Sequence, residues 1–472
     1  MIEIPQEHKK LFEMIGTVAE SLNQKVFVVG GYVRDFYLGR NNSDELTDID
    51  FVTVGSGVKL AEKVAEKLKS SHLSVFKKFG TAQVKHNHLD LEFVGARKES
   101  YRKHSRKPVV EDGTLEDDQL RRDLTINALS WCLNPGEFGV LHDPFNGIQD
   151  LKNKIIRTPI DPEKTFNDDP LRMMRAVRFA AQLHFEIFEE TMAAIRKMSH
   201  RLSIISKERI LEELNKIIMC PKPSEGFALL LHSGLLKEFF PEMVKLQGVD
   251  EKNGQRHKDN FWHTLKVLDN TAKMGGDLWL RWAAILHDIA KPPTKKFKKG
   301  IGWTFHGHDA LGAKWTPRIF KRLGLPQDER MRYVQKLVSL HLRPIALVSE
   351  EVSDSAIRRL IFEAGDDIDD LMLLCRADIT SKNEWKVKKY RNNFDRVEKK
   401  IREVEKKDKI RNWKNPIGGE EIMDVLNVKP GPVVGRVKDE IKEAILDGKI
   451  SNDYEEAFQY LMNIKNKYEK SH

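Results

Sequence analysis

"VVGGYVRD", residues 28–35, is followed closely by "LTDIDFVTVG", residues 46–55. An apolar run ends in two glycines, and a second apolar run holds two aspartates one residue apart. The first stretch reads as strand, turn and helix start. "VFVV" is a continuous buried run, Gly30-Gly31 a backbone turn, and "YVRDFYLG" a helix ending at Gly39. "DIDFVTV" alternates as a strand does. Asp48 and Asp50 therefore share one face of what reads as a buried strand. Two ionised carboxylates side by side repel, and burying them is costly. A divalent cation is the simplest neutraliser, and magnesium takes carboxylate oxygens together with waters and substrate phosphates. The structural alternative is that Asp48 caps the loop and Asp50 is salt-bridged.

The surrounding residues sharpen this reading. Without Cβ atoms, Gly30 and Gly31 let the backbone approach a ligand, and Arg34 adds a cation one turn on. A phosphate cradle beside paired carboxylates outlines a phosphoryl or nucleotidyl transfer site. "VKLAEKVAEKLKSS" is an amphipathic helix, and "SVFKKFGTAQVKHNHLDLEFVGA" reads as two or three short strands, so residues 25–133 form a small α/β unit. Glu92, in "LDLEF", is a candidate third carboxylate, with Asp90 competing for that role. "RKESYRKHSRKPVVEDGTLEDD", residues 97–118, reads as a mobile loop. "RRDLTINALSW" then supplies Arg121, Arg122, Asp123 and Asn127.

"NDDPLRMMRAVRFAAQL", residues 167–183, opens a helix with Asp168-Asp169 at its start and Pro170 in its first turn. Arg172, Arg175 and Arg178 follow at intervals of three. Asp169 and Arg172 can present an acceptor and a donor to one planar ligand, as reading a base edge requires. The alternative is a dipole-compensated helix with surface arginines.

The chain has 472 residues, enough for two to four domains. A net charge of +9 is compatible with a phosphate-rich partner such as nucleic acid. No segment approaches the roughly 18 apolar residues of a membrane span, and the amphipathic start "MIEIPQEHKKLFEMIGTVAESL" is not a signal peptide. Cys132, Cys220 and Cys375 lie far apart, which fits a reducing cytoplasm and argues against a thiolate metal cluster. From residue 147 onward helical periodicity dominates, and only "IIRT" suggests a strand. The segment "EWKVKKYRNNFDRVEKKIREVEKKDKIRNW" reads as a solvated helix face, with RNA contact as the alternative. Several histidines fall in one block: His263 in "NFWHTL", His287-Asp288 in "AAILHDIAKP", His308 in "FHGHDALGA" and His341 in "VSLHLRP", with Asp378 in "CRADIT" beyond. A His-Asp pair ending an apolar helix asks for a metal or a strong partner.

In order, "GGYVRD", "DID", "RRDLTINAL", "DPFNGIQDLKNKIIRT", "DDPLRMMRAVRFA" and "SKERILEEL" resemble the class II tRNA nucleotidyltransferases and bacterial poly(A) polymerases over about residues 25–220. The resemblance implies an α+β fold: a mixed-sheet palm over 1–146, then mostly helical neck, HD and tail domains over 147–246, 247–382 and 383–472, the tail binding tRNA. It implies that Asp48 and Asp50 hold two magnesium ions. Gly30, Gly31, Arg34 and Arg122 would bind the triphosphate and ribose, and Asp169 and Arg172 would pair with the Watson–Crick edge of CTP or ATP. Arg175 and Arg178 would support them, the 97–118 loop would help switch from C to A addition, and Ser206, Glu208 and Arg209 would belong to a neck-helix motif. One departure is Asp168-Asp169, where the family usually has Glu-Asp.

Residues 257–380 likewise resemble the HD phosphohydrolase superfamily. That resemblance implies one divalent metal of unidentified kind on His263, His287, Asp288 and Asp378, a second site completed by His308 and His341, and a substrate phosphate at Lys291. The tail segment "VKPGPVVGRVKDEIKEAILDGKI" resembles the end of HD-containing bacterial CCA-adding enzymes. The expected activity is template-independent addition of CCA to tRNA in the cytoplasm, by two-metal transfer, with an HD phosphohydrolase. Within the class the alternatives are a poly(A) polymerase or a CC- or A-adding enzyme. Outside it stands a metal phosphohydrolase with an RNA-binding head, and the HD block can also be a scaffold without activity.

Overall fold

A computed structural model of the chain describes residues 4–40, 48–76, 80–100, 109–347, 353–380, 383–408, 411 and 413–469. The strands of the N-terminal part are β1 (Lys25–Val29), β2 (Asp48–Val54), β3 (Leu73–Phe76), β4 (Thr81–His86), β5 (Leu89–Gly95), β6 (Arg97–Ser100), β7 (Val109–Asp112), β8 (Ser130–Cys132) and β9 (Leu141–His142). Seven of them form one sheet in the order β3-β4-β5-β2-β1-β8-β9. β2 and β5 run parallel, and the other neighbours are antiparallel. Val26 to Val29 are all buried, as expected of a central strand covered on both faces. One face meets helix Gln6–Ser21, whose Phe12 ring lies 5.8 Å from Phe51, itself stacked on Phe93 at 4.9 Å. On the other, Phe27, Val29, Val52, Ala96, Leu115 and Cys132 form a second apolar cluster.

The chain divides into two compact units: Met1–Ile217 with Glu225–Phe239, and Ile218–Ser224 with Phe240–His472. In the first, the sheet is followed by helices including Pro162–Asp168, Leu171–Leu183, Glu189–Met198 and Lys207–Ile218. The second is mainly helical. It closes with helices Gly419–Leu426, Pro432–Leu446 and Tyr454–Glu469, packed around Ile422, Val437, Ile441, Ile445 and Leu461. Among the described residues no helix is long and apolar enough to cross a membrane.

Three sequence readings need correction. Residues 97–118 are not loop throughout. β6 pairs antiparallel with β7, and Thr114 caps helix Leu115–Leu120 through a reciprocal hydrogen-bond box with Asp117; residues 101–108 lie outside the described set. Strands also recur after residue 147. Ile155–Ile156 pairs with Glu186–Ile187, and short ribbons join 251–252 to 255–256 and 296–298 to 302–304. Two- and three-residue strands are too short to show a period of two, so the pattern cannot reveal them. Finally, β2 is not buried throughout: Ile49, Phe51 and Val52 point inward, whereas Asp48 and Asp50 face solvent.

Gly16 sets how closely the first helix approaches the sheet. A Cβ there would lie 1.9 Å from the carbonyl oxygen of Leu133 and 2.6 Å from its carbon, both rigid backbone atoms. Gly136 has open space around the same position. Gly16→Ala should therefore destabilise the head by about 1–3 kcal/mol or more through overpacking. Gly136→Ala should not, and denaturant titration of the two variants checks the contrast.

Candidate functional site

β1 runs directly into Gly30, whose φ of +72° favours glycine. A Cβ on Gly30 would meet Arg122 Nη1 at 3.3 Å and Asp50 Oδ2 at 3.8 Å, so the turn threads between a cation and a carboxylate. Register then places the acids. Asp48 lies opposite Asp90 and Asp50 opposite Glu92 on the parallel neighbour β5, with Gln83 opposite Glu92 on β4. Asp90 is engaged by Lys85 at 3.5 Å. Among the described residues the carboxylates of Asp48, Asp50 and Glu92 have no hydrogen-bond or ion-pair partner, so the salt-bridged alternative for Asp50 is not what the fold builds.

Asp48, Asp50 and Glu92 line a cavity of about 480 Å³ together with Gly30, Gly31 and Arg34. Loss of water in the cleft pushes the Asp50 carboxyl up; Arg122 opposes this and Asp48 adds to it. The Glu92 carboxyl is raised by desolvation and then by Asp50 and Asp48. Three acids lining one cavity without a cationic partner of their own among the described residues suit a divalent cation.

The arginines are held in place by buried acids. Asp118, fully buried, accepts from Arg121 Nε at 3.0 Å and Arg122 Nε at 3.0 Å. Burial alone would raise its carboxyl, but Arg122 and Arg121 hold it below the usual range. Asp123 accepts from Asn127 Nδ2 at 3.1 Å and Arg175 Nε at 2.6 Å. Burial opposes its charge too, but Arg175, the Asn127 hydrogen bond and Arg172 together hold its carboxyl below the usual range. Glu213, also buried, lies 2.7 Å from Arg178 Nε and 3.7 Å from Arg175 Nη1. Arg34 is 6% exposed, forked onto Asp35 at 2.9 and 2.8 Å and bonded to Asn127 Oδ1 at 2.8 Å. It lines the cleft while holding Asn127, so its charge is already shared.

A second cavity of about 410 Å³ adjoins the first and shares Arg122, Asp123, Arg175 and Lys216 with it. Asp169 and Arg172 both line it. Here the sequence reading is corrected. Asp168 ends helix Pro162–Asp168 and Asp169 is extended, so neither begins the arginine helix, which starts at Leu171. Pro170 breaks the chain between the two helices because its ring disfavours a helical residue before it. Asp169 Oδ1 accepts from Leu171 N at 3.1 Å, and Oδ2 from Arg209 Nη2 at 2.8 Å. Arg172 donates to the carbonyls of Arg121 at 2.5 Å and Thr165 at 3.2 Å. Ser206 and Glu208 are exposed and do not line either cavity. Sequence reasoning misses Glu213 and Lys216 as cavity residues. Arg209, Glu213 and Lys216 recur at i, i+4 and i+7, a polar stripe on one helix face that could have revealed them.

The second unit brings all the histidine-block residues together. Asp288 is the hub. Its Oδ2 lies 3.3 Å from His263 Nε2, 3.2 Å from His287 Nε2 and 2.5 Å from Lys291 Nζ; its Oδ1 lies 3.2 Å from His308 Nε2 and 4.0 Å from His341 Nε2. Asp378 Oδ1 is 3.0 Å from His263 Nε2. The outer nitrogens are all engaged. Nδ1 of His287, His308 and His341 each sits 2.7 Å from a backbone carbonyl, of Ala284, Phe305 and Val338, and Nδ1 of His263 is 3.0 Å from Thr380 Oγ1. A carbonyl only accepts, so those three rings carry a proton on Nδ1 and turn Nε2, the other ligand position, inward. His308 and His341 consequently face each other at 3.3 Å, and His287 Nε2 is buried without a hydrogen bond.

His263, His287 and Asp378 form one cluster with metal-ligand spacing, and Asp288, His308 and His341 another. This donor set fits one or two divalent ions, with Asp288 between them. Burial lowers the His263 pKa, but hydrogen bonds to Asp288 and Asp378 carry it up to about 9. Burial and neighbouring His287 push His341 down to about 4.

Residues 26–157 match the poly(A) polymerase head domain, 184–246 the probable RNA- and SrmB-binding site of polymerase A, and 260–382 the HD domain. An A-adding tRNA nucleotidyltransferase of Deinococcus radiodurans is 33% identical over 72% of this chain and 77% of its own length. A multifunctional CCA protein of Dechloromonas aromatica is 31% identical over 78% and 86%. A CC-adding tRNA nucleotidyltransferase of Thermus thermophilus is 28% identical over 92% and 93%. Among solved structures, a CCA-adding enzyme in complex with ATP shares the fold at a TM-score of 0.65 and 23% identity, covering 98% of this chain and 96% of that one.

The inward-facing nitrogens lead to a measurable outcome. After dialysis against a chelator, adding back a divalent cation such as Mn²⁺ or Zn²⁺ should raise the stability of the second unit. The gain should reach about 2.7 kcal/mol at a hundredfold excess over Kd. Asp288→Ala should remove most of that gain in a thermal melt, while Asp48→Ala should leave it intact.

Proposed function

This chain belongs to the tRNA nucleotidyltransferase and poly(A) polymerase family, and from that premise we propose that it completes the 3′ CCA of tRNA from CTP and ATP without a template. The observation that carries the reading is the pair of joined cavities, one lined by acids for chemistry and the other by Asp169 and Arg172 for base selection. Asp48 and Asp50, with Glu92 beside them, would hold magnesium. Bound there, the metal would lower the pKa of the RNA 3′-hydroxyl and offset charge on the departing pyrophosphate.

The remaining work belongs to the chain's own groups. Arg122, braced by Asp118, and Arg175, braced by Asp123, would neutralise the triphosphate along the wall common to both cavities. Because buried acids already fix these guanidiniums, they need little reorganisation when charge develops. Asp169 supplies the acceptor and Arg172 the donor for a Watson–Crick edge. Arg209, Thr165 and Arg121 hold the two in one orientation, so discrimination comes from fixed geometry. Such an enzyme works where tRNA is made; the reducing cytoplasm suits three buried free thiols.

The second unit would carry a metal phosphohydrolase. His263, His287, Asp288, Asp378, His308 and His341 would hold the ions, which supply a hydroxide for phosphoester cleavage, and Lys291 would meet the substrate phosphate. A second reading, addition of only part of CCA, is favoured by the A-adding and CC-adding activities in the names of two relatives.

Incubating the protein with tRNA lacking CCA, Mg²⁺ and labelled CTP or ATP tests the proposal. Two C and one A should be incorporated; no incorporation refutes it. Incorporation of C alone, or of A only onto tRNA ending in CC, would establish the partial reading. Asp48→Ala with Asp50→Ala should cut incorporation by about 10³-fold or more. Hydrolysis of 2′,3′-cyclic phosphates should persist in that variant and disappear in Asp288→Ala.

A further inference from the structure

Helix His308–Leu323 begins at a metal-cluster histidine, yet the rest of it carries a different chemistry. Its sequence "HDALGAKWTPRIFKRL" holds Lys314, Arg318, Lys321 and Arg322 against a single acid, Asp309. Trp315, Ile319 and Arg322 recur at i, i+4 and i+7 and so share one face. With Arg318, Glu242 and Lys245 they line a cavity of about 310 Å³ within the second unit. At 1.5 Å per residue, Trp315 lies about 10 Å along the helix axis from His308, which separates the cavity from the histidine cluster.

The cavity sets cationic side chains beside an aromatic ring. Ile319 is buried, and Trp315 stays partly exposed to the opening. Arg322 is paired with Glu242 across the opening. The side chains of Arg318 and Lys245 have no hydrogen-bond or ion-pair partner among the described residues, nor do those of Lys314 and Lys321. The lining therefore keeps two uncompensated cations beside an indole. Pro317 stands between Trp315 and Arg318, and its missing N–H frees the carbonyl of Ala313, which Gln335 Nε2 takes up at 2.9 Å. The helix is thereby pinned at the point where it lines the cavity.

We infer that this cavity is an RNA contact: an unpaired base stacks on Trp315, and its flanking phosphate lies between Lys245 and Arg318. Every base has a π-face, so stacking needs no particular sequence, and cations at the rim track the backbone. The inference rests on the reading of this chain as a tRNA-modifying enzyme. It adds an RNA-binding surface on the HD-bearing unit that shares no residue with either candidate catalytic centre.

The test uses full-length Trp315→Leu, Trp315→Phe and the double variant Lys245→Gln with Arg318→Gln. Binding of tRNA lacking CCA is measured by filter retention at several salt concentrations, alongside CTP incorporation and thermal melts. Trp315→Leu should weaken tRNA binding about 5- to 150-fold, the range for removal of one stacked base, and Trp315→Phe should restore most of it. The double variant should flatten the dependence of log affinity on log salt by about 0.7–0.9 for each phosphate no longer neutralised. In both, the KM for tRNA should rise with kcat unchanged. Wild-type affinity in Trp315→Leu and in the double variant would overturn the inference. So would unaltered tRNA binding with weakened binding of free ATP or CTP, which would make the cavity a mononucleotide site. Should the wild type bind RNA but incorporate nothing, the proposed function fails. The cavity assignment then stands if the variants still weaken RNA binding, and falls if they do not.

Discussion

Asp123 is the constraint on which the head depends. A carboxylate withdrawn from water must be compensated in place, and this one is compensated from two directions. Arg175 reaches it from the helix after the sheet, and Asn127 from the turn before β8. Asn127 in turn orients Arg34 on the glycine-turn helix. One buried charge thus joins the glycine turn, the last inner strand and the arginine helix into one rigid wall. Removing it would leave Arg175 with only the more distant Glu213 at 3.7 Å and would release Asn127 from its partner. The wall is common to the acid-lined cavity and the cavity of Asp169 and Arg172, so their spacing is set by the same interaction.

That wall also carries its own compensation. Arg122 and Arg175 reach into the shared space; of their bracing acids Asp118 lines neither cavity, whereas Asp123 and Glu213 are largely buried at the lining itself. With them in the acid-lined cavity stand Asp48, Asp50 and Glu92; desolvation, and then the neighbouring acids, push the carboxyls of Asp50 and Glu92 up. Each group is unfavourable alone, and together they bracket a site suited to a metal-bound polyphosphate. A protein selected for stability alone would not leave three acids on one face; the strain is consistent with a functional demand.

The strand–glycine–strand grammar is legible because it uses periods and residue types that act locally. A continuous apolar run, a residue at positive φ and an alternating strand each leave their own mark at positions 26–54. The placement of Asp48 and Asp50 on one face follows from period two alone. What the sequence cannot carry is partnership across distance. Nothing local to Arg34 announces that Asn127, 93 positions on, will hold it. Nothing near Asp169 says that Arg209 will reach its carboxylate. The helix start is misplaced for a local reason: Pro170 reads as a first-turn residue, but Asp168 already closes another helix. The ribbons at 251–256 and 296–304 are too short to show any period.

The histidine block shows the opposite balance. Its candidate ligand types can be read from a His-Asp pair ending an apolar helix, but the feature that suits them to a metal is invisible in sequence. Three of the rings are turned by backbone carbonyls of Ala284, Phe305 and Val338, each three residues before its histidine. The turn that ends or starts each helix thus selects the tautomer without any acidic side chain. It costs no extra buried charge and leaves Asp288 free to face both histidine pairs. A carboxylate whose two oxygens point to two separate imidazole pairs is neutralised best by cations on both sides. The backbone geometry of three helix ends, more than any single ligand, therefore suits this centre to a pair of ions.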